Sequence, residues 1–83
     1  HEQHDLQLSF AETLKYMSVR FKKAGLSRNF ITKQAAKEIY TYSKGTPRLI
    51  NTICDTSLMV GFISKAKLVD SKIVLEAVKD VKG

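Results

Sequence analysis

The stretch Gly45-Thr46-Pro47-Arg48 is the junction between two helices. Gly45 tolerates the left-handed backbone that stops a helix. The Thr46 side chain suits a helix cap, and Pro47 suits a first turn because its missing N–H would find no intrahelical partner there. One helix therefore ends near Lys44 and another begins at Pro47. Arg48 then sits at the second position of a helix, beside the positive end of its dipole, where a cation costs roughly 0.3–1 kcal/mol. Two readings of Arg48 stand side by side. It is an ordinary surface arginine, or its guanidinium fork and the helix start together receive an anion such as phosphate.

Working back from the junction, Thr32 caps the second helix, whose inward stripe is Ala35, Ala36, Ile39 and Tyr42. Ser9-Phe10-Ala11-Glu12 has the spacing of a capping box and opens a first helix running from Phe10 to Ala24. Phe10, Leu14, Met17, Phe21 and Ala24 fall on one face of it, and Gly25 ends it. Residues 1–8 carry no helical period and read as an extended lead-in or linker, so the helical domain spans 9–82.

Working forward, the third helix extends from Pro47 to Ile63. Between Leu49 and Ser64 its only charged residue is Asp55, which predicts the most buried helix of the set. Leu49, Ile50, Ile53, Cys54, Ser57, Leu58, Gly61 and Phe62 form its broad apolar surface. Met59, Val60 and Ile63 fall off that stripe and are assigned to packing against another helix of the bundle, although left exposed they would mark an interaction face. Gly61 predicts close packing or fraying near the helix end. A basic loop, Lys65 to Val69, leads to Asp70, which caps a fourth helix with Ile73, Val74, Ala77, Val78 and Val81 inward. The expected fold is all-α, a small four-helix bundle with short loops.

The chain has 83 residues, enough for one small domain and too few for a large internal cavity. It begins at His1 without an initiator Met and has no apolar run of about 18 residues, so it reads as an excised piece of a longer soluble protein with the cytosol as default compartment. Lone Cys54 lies on an apolar stripe and reads as structural. His1 and His4 have no motif partners, and no Cys/His cluster has metal-ligand spacing. No glycine-rich loop ending in Gly-Lys-Ser/Thr is present and the carboxylates fall at caps or on exposed faces, so no catalytic residue is assigned. The net charge of +6 invites a nucleic-acid reading, but only Arg20, Lys22, Lys23, Arg28 and Lys33 concentrate locally.

The ordered set Glu12-Thr13, Tyr16, Ala24-Gly25, Phe30, Ser43, Gly45, Pro47-Arg48, Ile50-Asn51 and Cys54-Asp55 resembles the lid of AAA+ ATPases of the general secretion pathway protein A type. The resemblance runs over nearly the whole chain. It implies an AAA+ lid-type bundle that follows a P-loop ATPase core, with Arg48 as the second sensor touching the γ-phosphate and Pro47, Leu49 and Ile50 near the nucleotide. It further implies ATP with Mg2+ in the full-length parent and no tight nucleotide binding by this fragment. The implied partners are the core of the same chain, further copies of the parent and a membrane protein, with the parent cytoplasmic and associated with the inner membrane. Two alternatives are a DNA-binding domain of a transposition helper ATPase, suggested by the positive charge and the helix-turn-helix look around Gly45, and a protein-protein interaction module.

Overall fold

The computed structural model describes residues 6–26 and 30–82. Among them are four helices, α1 (Phe10–Lys23), α2 (Lys33–Ser43), α3 (Pro47–Ile63) and α4 (Ser71–Lys82), so the fold is all-α as expected. The helix starts follow local chemistry. Ser9 Oγ accepts from the Glu12 amide at 3.1 Å while the Glu12 carboxylate accepts from the Ser9 amide at 2.8 Å, which completes the capping box. Thr32 Oγ1 accepts from Ala35 N, and Asp70 Oδ1 accepts from Ile73 N. Thr46 precedes α3, but its side chain makes no capping bond, contrary to its expected role.

The helix ends are equally local. Gly25 takes φ 82°, and the Leu26 amide donates to Phe21 O and the Gly25 amide to Lys22 O, the paired closure of a left-handed stop. The same closure ends α3, with Ala66 N donating to Gly61 O and Lys65 held at φ 58° without the freedom of glycine.

Helices α2 and α3 each pack against the other three, and the closest pairing is α3 with α4, so α3 shares the central place with α2 and is not the most buried helix that its lack of charge predicts. The core gathers Met17, Phe21, Ile39, Ile50, Ile53, Cys54, Val74 and Val78. Three expectations need correction. The buried row of α1 is Thr13, Met17 and Phe21, spaced every fourth residue, while Leu14 is 40% exposed and Ala24 is exposed; Phe10 is half-buried and meets Tyr40 edge-on at 5.4 Å. Phe62 is not on the apolar seam of α3 but 85% exposed, and Met59 and Ile63 also face outward, so only Val60 of that trio packs on the core. The stretch before α4 is not merely a basic loop. Val69 is fully buried, and its parallel bridge with Ile31 is made by Thr32 N to Val69 O at 3.0 Å and Val69 N to Phe30 O at 2.8 Å. No described helix is long and apolar enough to cross a membrane.

Candidate functional site

The α2–α3 corner is built by two consecutive left-handed residues, Lys44 at φ 55° and Gly45 at φ 76°. Lys44 N donates to Tyr40 O at 2.8 Å and Thr46 N to Ser43 O at 3.0 Å, which turns the chain sharply into α3. Ser43 is fully buried beneath the turn, and its hydroxyl accepts from Gly45 N at 3.2 Å. The lead-in closes the corner from above, with Leu8 N donating to Gly45 O at 2.7 Å. A Cβ at position 45 would overlap the Leu8 carbonyl oxygen, so glycine is required both by its φ and by the close approach of a second main chain.

On this platform Arg48 is exposed on the first turn of α3. The first turn of α3 itself contains no acidic residue, and the Thr46 hydroxyl makes no capping bond to it. The turn can therefore present a cation and a positive helix end to the same anion. Pro47 and Leu49 are half-buried beside Arg48. Ile50 is different. It is fully enclosed in the core, so the expectation that it lies against a nucleotide is corrected: it supports the turn from beneath.

Sequence reading missed the Leu8 clamp and the role of Ser43. A glycine close to a small polar residue was visible, but the extended segment that covers it, at Leu8, is distant in sequence. It also missed the pair formed by Arg20 of α1 and Asp55 of α3, 2.7 Å apart, beside a small cavity that Phe21, Cys54 and Leu58 help to line. The bond to Asp55 raises the Arg20 pKa further above its ordinary value. Cys54 is 1% exposed, and burial is the main cause that pushes its thiol up to about 12, partly opposed by Arg20, so it is an inert core thiol as read from the sequence.

Arg20 is engaged by Asp55, Lys22, Lys23 and Lys33 are exposed, and Arg28, like His1 and His4, lies outside the described residues. The outward face of α3 carries Thr52, Asp55, Met59, Phe62 and Ile63 after Arg48. A recognition helix in a major groove instead presents basic and amide side chains along its length.

No known family profile matches the chain. No solved structure matches it. The chain is 36% identical over 75 residues, 89% of its length, to general secretion pathway protein A of Aeromonas hydrophila, of which the aligned stretch covers 14%. The chain is thus related, over nearly its whole length, to one segment of that much longer protein.

Proposed function

We propose that this chain is the helical lid of a AAA+ ATPase, closing over ATP and sensing its γ-phosphate through Arg48. The observation that carries the reading is the corner itself. The exposed Arg48 stands on the first turn of α3, at a helix start without a side-chain cap bond whose backbone is fixed by Ser43 beneath and Leu8 above. An anion received there meets both the positive end of the α3 dipole and the guanidinium fork, and each charge-assisted hydrogen bond formed contributes about 1.5–3 kcal/mol. That magnitude suffices to bias a two-state closure toward the nucleotide-bound form.

In this reading Pro47 and Leu49 flank the nucleotide, Ile50 holds their helix to the core, and the P-loop and Mg2+ belong to another part of the full-length protein. The chain contributes one wall of the site, so its own affinity for ATP is weak and it is not itself an enzyme. Relatedness to a general secretion pathway protein supports a parent that serves secretion or envelope assembly, on the cytoplasmic side of the inner membrane with a membrane-protein partner. Replacement of Arg48 by Ala in the full-length protein is expected to lower ATP turnover at least about tenfold with the fold intact, the loss of one charge-assisted bond. Unchanged turnover in that variant would remove the sensor assignment.

A further inference from the structure

Three contacts gather one set of helix ends at the pole of the bundle opposite the Arg48 corner. The Phe21 and Phe30 rings meet at 6.3 Å, which places the end of α1 beside the approach to α2. The bridge between Ile31 and Val69 sets the start of α2 against the start of α4, and Ala66 N donating to Gly61 O folds the α3–α4 connection back onto the end of α3. The other pole holds the Leu8–Gly45 bond and the Lys82 ammonium over the Tyr42 ring.

Charge is distributed unevenly between these poles. Lys22 and Lys23 close α1, Lys33 opens α2, Lys65 and Lys67 lie in the α3–α4 connection and Lys72 in the first turn of α4, all of them exposed. Among the described residues of these end turns and of the 64–70 connection, Asp70 alone is acidic, and it is held to the Ile73 amide as a cap. Ile63 also borders a groove lined by Glu76 and Asp80, but these stand about 8 and 14 Å further along α4 from Ser71 and recede from the pole. The same pole exposes large apolar side chains, with Phe62 at 85%, Ile63 at 72% and Leu68 at 47%, and Lys65 and Lys67 interleave with them along the chain. Apolar groups of this size on neighbouring positions are unusual on a surface without a partner.

The combination limits what that partner is. A nucleic-acid backbone complements the lysines and leaves Phe62 and Ile63 in water. A bilayer surface bearing anionic headgroups complements both, because the aromatic and aliphatic side chains enter the headgroup boundary while the ammonium groups stay at phosphate level. We propose that the pole formed by the α3–α4 connection docks on an anionic lipid surface, with Phe62 and Ile63 as the inserted wedge and Lys65 and Lys67 as its electrostatic collar. The contact lies on the bilayer and does not span it. It rests on this pole alone and is independent of the role of Arg48, which it leaves facing away from the lipid.

Co-sedimentation of the chain with phosphatidylcholine vesicles carrying about one third phosphatidylglycerol, in about 0.1 M salt, tests it. Wild type is expected to bind these vesicles and not vesicles of phosphatidylcholine alone. F62A and K65E/K67E are each expected to weaken binding at least about tenfold with helical signal unchanged, since one removes the apolar anchor and the other reverses the collar. K79E/K82E makes the same change of net charge at exposed positions in the last turn of α4, at the other pole, and is expected to weaken binding at most about threefold. Wild type that stays in the supernatant overturns the proposal, as does F62A binding like wild type or K79E/K82E losing as much as K65E/K67E. So do a DNA duplex bound more tightly than the vesicles at the same salt and, without vesicles, a self-association that F62A abolishes, because either gives this pole another occupant.

Discussion

A methyl group added at Gly45 meets the main chain of Leu8, whereas one added at Gly61 lies 3.8 Å from Ile73 Cδ1 and Val69 Cγ2, an ordinary contact. The same substitution therefore has opposite signs at the two positions. Gly45→Ala forces both a left-handed alanine and displacement of the lead-in, and is expected to cost more than about 2 kcal/mol in urea denaturation. Gly61→Ala removes backbone freedom from the unfolded chain and fills space already available, so it is expected to stabilise by up to about 1 kcal/mol. Cys54 gives a pH signature at the same scale. Its folded thiol titrates at about 12, above the unfolded value of about 8.5. The folded state thus keeps a proton that the unfolded state releases. The corresponding stability is complete below about pH 8.5 and is lost as pH rises toward 12. Denaturation midpoints measured across that window should fall less steeply for Cys54→Ala than for wild type.

Helix boundaries were legible because each is decided within a few residues: Ser9 with Glu12, Thr32, Asp70, Gly25 and the Gly45-Thr46-Pro47 junction. The phase of each helix against its neighbours was less so. Periodicity alone put Phe62 inward and left Thr13 aside, yet α3 turns Phe62 to solvent and α1 buries Thr13 completely, because the seam is set by helices distant in sequence. Val69 and Leu8 were misjudged for the same reason: their partners, Ile31 and Gly45, lie far along the chain. Within the candidate site, the place of Arg48 on the first turn of α3 was legible from Pro47, while the Leu8 clamp that fixes its helix was not. The capping geometry separates two residues that look alike in sequence. Ser9→Ala removes a reciprocal cap and is expected to cost about 1 kcal/mol, whereas Thr46→Ala, at a cap whose hydroxyl makes no bond, is expected to stay within about 0.5 kcal/mol; thermal or urea unfolding compares them directly.

At the scale of the whole molecule, α1 and its lead-in are tied to the rest by several contacts besides the core packing of Met17 and Phe21. Arg20 meets Asp55, Phe10 meets Tyr40, and the residues before α1 bind the α2–α3 corner through Leu8. Through Leu8 and Gly45 the corner that carries Arg48 is joined to the segment leading into α1, the coupling that the proposed lid role requires. The most direct measurement is the ATP-over-ADP affinity ratio of the full-length protein, with and without Arg48→Ala, by isothermal titration. The account predicts that wild type prefers ATP and that the variant loses about ten- to hundredfold of that preference while its ADP affinity holds, the equivalent of one charge-assisted hydrogen bond to the γ-phosphate. An unchanged ratio in the variant would contradict it.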